Sequence, residues 1–170
     1  MKNFLVIIVA FLCFQCENKP QAEEKIFTIY LVRHAEKDTA SSSNDPALTI
    51  CGLERSEQLA ELLQAVELEA IYSSDYVRTR DTAQPLSEAK SINIQMYDPR
   101  ELPAFSKLLL ERKEDAFVVG HSNTTGVLAG LLVGEELEPF DESIYNRVYQ
   151  VVFCNKKGRL HLLHTSFSCE

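Results

Sequence analysis

Several cationic and titratable side chains in this 170-residue chain stand just where apolar runs end. Arg33 and His34 close the run Phe27-Thr28-Ile29-Tyr30-Leu31-Val32, and Arg78 follows Ser73-Ser74-Asp75 by a turn. Arg100 and Glu101 come after Ile92–Met96, and His121, Ser122 and Asn123 come after Ala116–Val119 and Gly120. Arginine forks match phosphate oxygens with paired hydrogen bonds. Amides at a helix start add positive partial charge. A neutral imidazole can attack phosphorus and split one hard displacement into two easier ones. A carboxyl nearby can protonate the leaving oxygen. Metal chemistry fits less well, because His34 and His121 have no ligand-spaced partners and sit among arginines that repel a cation. A serine hydrolase fits worse still, because the chain has no G-x-S-x-G elbow.

These groups can act together only if the apolar runs are strands of one parallel sheet. Leu59, Leu62, Leu63 and Val66 recur at helical spacing, which predicts a helix over Gly52–Val66 with Thr49 as its cap. The pattern predicts a strand over Leu68–Tyr72, a helix over Tyr76–Ala89 capped by Ser74 or Asp75 and interrupted at Pro85, and a strand over Ile92–Met96. A helix over Leu102–Glu111, a buried strand over Ala116–Val119 and an apolar helix over Gly126–Val133 follow. Val148–Phe153 and Arg159–Leu163 read as a hairpin turning at Lys156-Lys157-Gly158. Alternating strands and helices predict an α/β fold, a three-layer α/β/α sandwich with a mostly parallel sheet and a C-terminal edge hairpin. Ligands of such sheets bind outside the carboxyl ends of the strands.

The formal net charge of −8 argues against nucleic acid as a partner. Residues 1–16 resemble a signal peptide in which an apolar run, Phe4–Phe14, ends near Cys16. Cys16 is the expected lipidation site, which would export the protein and hold it at a membrane through an N-terminal lipid anchor. Residues 17–25 read as a linker and 26–170 as the folded domain. Of the other cysteines, Cys154 and Cys169 are the pair expected to be able to bond, with Cys51 distant from both in sequence.

Four blocks carry a resemblance to the histidine phosphatases of the phosphoglycerate-mutase-like superfamily. They are Leu31-Val32-Arg33-His34-Ala35-Glu36-Lys37, Leu48-Thr49-x-x-Gly52-x-x-Arg55, Ile71-Tyr72-Ser73-Ser74-Asp75-x-x-Arg78-x-x-x-Thr82-Ala83, and Val118-Val119-Gly120-His121-Ser122-Asn123-Thr124. The resemblance runs from about Ile29 to Phe153. It implies His34 as the phosphoryl-accepting nucleophile, Arg33 and Arg78 as phosphate clamps, and His121 as a donor to the phosphoryl group, with Ser122 beside it. Glu101 is the residue it suggests as general acid, although the sequence around Glu101 departs from the better-known pattern. Some small members that resemble this chain lack a strong acid and suit good leaving groups, phosphohistidine included. The expected activity is hydrolysis of a small phosphorylated substrate without a cofactor or metal. A mutase and a non-catalytic phosphate-binding relative are the alternatives. Arg80, Tyr145, Tyr149, His161 and His164 are expected to be structural or solvated.

Overall fold

The structure is a computed structural model, and it describes residues 25–154 and 157–169. The signal-like segment, Cys16 and all of the linker except Lys25 lie outside the described residues. Among the described residues, no helix is long and apolar enough to cross a membrane.

Six strands form one mixed sheet in the order β3-β2-β4-β1-β5-β6. They are β1 (Phe27–Arg33), β2 (Ala70–Ser74), β3 (Ile94–Tyr97), β4 (Ala116–Gly120), β5 (Arg147–Cys154) and β6 (Lys157–His164). The first four run parallel, β5 runs antiparallel to β1, and β6 forms the edge. Of the two central strands, β4 is buried throughout and β1 is buried over its second half, from Leu31 to Arg33, as expected where a strand is covered on both faces.

Alternate residues of these strands serve two separate cores. Ile29, Leu31 and Val118 pack with Phe105, Leu109, Leu128 and Leu132, which belong to α3 (Leu102–Arg112) and α4 (Thr125–Val133). Val32, Phe117 and Val119 pack with Leu59, Leu63, Ala83 and Leu86, from α1 (Ile50–Leu63) and α2 (Val77–Lys90). The sheet is therefore sandwiched between two helix pairs, and each fully buried large side chain contributes about 1.5–3 kcal/mol.

Local detail differs from the sequence expectation in instructive places. The Thr49 cap is present, its hydroxyl accepting from Gly52 N–H at 3.0 Å. The α2 cap is not a neighbouring side chain: the carboxylate of Asp45, from the loop before α1, accepts from Val77 N–H at 3.0 Å. Helix α2 continues through Pro85 without a break. Proline forfeits one ladder bond, but Thr82, Ala83 and Leu86 are buried on the sheet and hold the helix across it. Lys157 and Gly158 belong to β6 rather than to the turn.

The cysteine expectation is corrected. Cys169 is bonded to Cys51, not Cys154, which is free and exposed. Cys51 opens α1, and the segment after β6 crosses back to it, so a pair 118 residues apart has its Cα atoms 5.7 Å apart.

Candidate active site

The sheet itself sets the spacing of the two histidines. Strands β1 and β4 are in register with Arg33 opposite Gly120, and the His34 N–H donates to the Gly120 carbonyl at 3.0 Å. The next residue on each strand is a histidine, and their rings meet edge to face with centroids 5.5 Å apart.

His34 is buried and His121 half-buried, and their hydrogen bonds differ. His34 Nδ1 lies 2.7 Å from the Ala35 carbonyl oxygen. A carbonyl only accepts, so Nδ1 carries the proton and a neutral His34 keeps the lone pair of Nε2 free. Burial pushes His34 down to about 3, with Arg33, His121 and Arg78 acting in the same direction. His121 Nε2 faces the Ser74 hydroxyl at 2.9 Å, and burial followed by Arg78 and Arg33 brings it to about 4. Both rings are neutral near pH 7.

The two arginines are fixed by loops. Buried Arg33 lies 4.1 Å over the Tyr145 ring and donates to the Glu142 and Ile144 carbonyls, the latter at 3.3 Å. Arg78 lies 4.4 Å over Tyr76 and pairs with Asp45 at 3.1 Å. The Nε of each arginine is buried and has no hydrogen-bond partner among the described residues, a donor that an oxyanion could satisfy.

Arg33, His34, Arg78, His121 and Ser122 all line one cavity of about 330 Å³, together with Lys37, Tyr76, Arg100, Asn123 and Glu142. At the start of α4, the Thr124 and Thr125 amides are taken by the His121 carbonyl at 3.1 and 2.9 Å. Thus only part of the expected set of amides is available, on Ser122 and Asn123.

Glu101 is not among the lining residues. It is exposed at the start of α3, where its carbonyl accepts from Phe105 N–H at 3.0 Å. The turn after β3 is organised by Asp98, which takes the Arg100 N–H and Nε at 2.9 Å, and it brings Pro99 and Arg100 to the cavity. Glu101, expected as the general acid, thus lies outside the residues that line the cavity. Arg80 pairs with Asp75 near the surface.

A second tier fixes the His34 loop. Ala35 N–H donates to Thr82 Oγ1 at 2.9 Å, and that hydroxyl donates to the Arg78 carbonyl at 2.7 Å. Glu36 pairs with buried Arg55 at 2.6 Å. Gly52 is needed where α1 crosses this loop, because a Cβ there would run into the Glu36 carbonyl. Thus each motif block supplies either a pocket group or the support of one.

Residues 29–101 match the model of the Histidine phosphatase superfamily (branch 1). That stretch, rather less than half of the chain, is similar to the histidine phosphatase superfamily. A curated relative named "Probable phosphoglycerate mutase GpmB", from Proteus mirabilis (strain HI4320), is 32% identical over 93 residues. That match takes in 52% of this chain and spans only 42% of the mutase. Solved structures share the fold. The protein histidine phosphatase SixA complexed with tungstate superposes with a TM-score of 0.67 at 19% identity, covering 81% of this chain and 97% of SixA. A mycobacterial glucosyl-3-phosphoglycerate phosphatase gives 0.64 at 14% identity, covering 85% of this chain and all (100%) of the other. Phosphoserine phosphatase from Entamoeba histolytica in complex with 3-phosphoglyceric acid gives 0.62 at 16%, covering 82% and 98%.

The neutral histidines tie stability to pH. Both folded values, about 3 and about 4, lie below the ordinary 6.5. Between those limits the unfolded chain binds more protons than the folded one. Stability therefore falls as pH drops below about 6.5 and levels near pH 3–4, each histidine costing at most about 1.4 kcal/mol for every pH unit crossed. Urea titrations at pH 7.5 and 4.5 should show this loss, and His34→Asn should lose less. A variant losing as much as the parent would rule out the His34 share.

Proposed function

We propose that this protein is a metal-independent phosphatase that hydrolyses a small phosphorylated compound through a phosphohistidine on His34. The observation that carries the proposal is the His34 Nδ1 contact with the Ala35 carbonyl, which leaves Nε2 unprotonated in a cavity lined by two arginines and a second histidine. Arg33 and Arg78 would hold the phosphoryl oxygens, with the Ser122 region adding donors and His121 bonding a further oxygen. Positive groups already in place stabilise charge as the P–O bond breaks, without reorganisation during the step. Charge neutralisation by fixed guanidinium groups replaces the part a divalent ion plays elsewhere.

The sequence likeness to a phosphoglycerate mutase supports a second reading, phosphoryl transfer between two positions of one substrate. Hydrolysis is favoured because exposed Arg100, Asn123 and Glu142 stand at the cavity's edge, where water can reach the intermediate. The test is rapid acid-free quenching of the purified protein with p-nitrophenyl phosphate in EDTA. A protein-bound phosphoryl group that survives alkali, is lost in acid, and decays to inorganic phosphate is expected. A decay that requires an added hydroxy acid would favour the mutase, and turnover with no adduct and full dependence on a divalent ion would overturn the proposal.

A further inference from the structure

The cavity has a floor and a rim of different character. His34 and Arg33 are each only 3% exposed, whereas Arg100, Asn123 and Glu142 are exposed. Attacking and leaving atoms stand roughly in line across a transferring phosphoryl group. A nucleophile on the floor therefore sends the leaving oxygen towards the rim.

Among the described residues, Glu142 is the only acidic residue that lines this cavity. Lys37 and Arg100 are its cationic companions there and suit the phosphoryl oxygens rather than the departing one. Glu142 belongs to the loop between α4 and β5, and that loop is tied to the pocket. The Glu142 carbonyl accepts from Arg33 Nη1, and Phe140 N–H donates to the Ser122 carbonyl at 3.1 Å. Asp141 folds the loop on itself, accepting from the Ser143 N–H at 2.7 Å and the Ser143 hydroxyl at 2.6 Å. An exposed carboxyl is thus carried on a backbone held by a buried pocket arginine.

We propose that Glu142, rather than Glu101, is the proton donor to the leaving group. This rests on the phosphohistidine reading above. In the first step His34 Nε2 forms a bond to phosphorus, the P–O bond to the leaving group breaks, and the Glu142 carboxyl gives its proton to the departing oxygen. In the second step water attacks phosphorus, its proton passes to the Glu142 carboxylate, the P–N bond breaks and inorganic phosphate leaves. The sum is a phosphate ester plus water going to an alcohol plus phosphate.

The experiment is a series of phosphate monoesters, from p-nitrophenyl through phenyl to alkyl, with parent, Glu142→Gln and Glu101→Gln. Proton donation matters most for the worst leaving group. Glu142→Gln should therefore cost little with p-nitrophenyl phosphate and on the order of a hundredfold with an alkyl ester, while Glu101→Gln tracks the parent throughout. An equal loss across the series would mark a merely structural or electrostatic role and overturn the proposal, as would no loss, or a steepened dependence in Glu101→Gln instead. Adduct trapping in the same samples separates the two readings: an adduct on His34 with no Glu142 effect sinks the donor alone, and turnover without any adduct sinks the nucleophile.

Discussion

His34→Ala is expected to lose at least about 10⁴-fold in kcat on p-nitrophenyl phosphate while keeping its affinity for tungstate within about tenfold of the parent. The two halves of this result come from different parts of the pocket. In the proposed mechanism turnover needs the Nε2 lone pair, which alanine lacks. Oxyanion binding would rest on Arg33 and Arg78, whose positions are set by Tyr145, the Glu142 and Ile144 carbonyls, Tyr76 and Asp45 rather than by the imidazole. The small ring can be removed without loosening those anchors. Kinetics and isothermal titration with tungstate would check both halves. Substantial turnover in His34→Ala would eliminate it as the nucleophile, and loss of tungstate binding would show that the arginine geometry depends on the ring.

The second large effect concerns stability. The Cys51–Cys169 bond closes a loop of 118 residues. In the chain-entropy view such a loop removes about 5 kcal/mol of freedom from the unfolded ensemble. For a chain of this size, 1 kcal/mol moves Tm by about 2–4 °C. Cys51→Ser, or reduction confirmed by thiol titration, should therefore lower Tm by roughly 10–20 °C at most. The bonded tail also brings Phe167 to Arg55, its carbonyl 3.2 Å from Nη1 and its ring 4.9 Å from the guanidinium. A Tm unchanged on complete reduction would mean that this packing holds the tail without the bond. The trio Glu36, Cys51 and Cys169 brings potential ligand atoms within 4.8 Å of one another, but its two sulfurs are bonded to each other and offer no thiolate.

The legible parts of this molecule are those where one short stretch carries both position and chemistry. Arg33-His34 and Gly120-His121 follow buried apolar runs directly, so finding the strands also finds the pocket's floor. Arg78 is legible for a similar reason, one turn into the helix after β2. Groups that reach the cavity from irregular loops carry no such signal. Asp45 stands in a polar stretch without periodicity, yet it both caps α2 and holds Arg78. Tyr145, expected to be edge packing, is the surface on which Arg33 lies. Glu142 is one of many exposed glutamates in an acidic chain, and only the Arg33 contact singles out its loop. Glu101 sits one residue beyond Arg100, which lines the cavity, and is itself exposed outside the lining. The cysteine pairing is hidden because sequence distance says little about which strand ends a returning tail will cross.

The register of β1 against β4 has a consequence for how such proteins can diversify. Both histidines are attached to a rigid ladder, and the pair stays in position whatever the surrounding loops do. The rim instead comes from the segments after β3 and between α4 and β5, which can change length or sequence without shifting the ladder. The histidine pair is thus fixed by the ladder, whereas the loop between α4 and β5, which holds Arg33 and carries Glu142, ties a change of rim to the step itself.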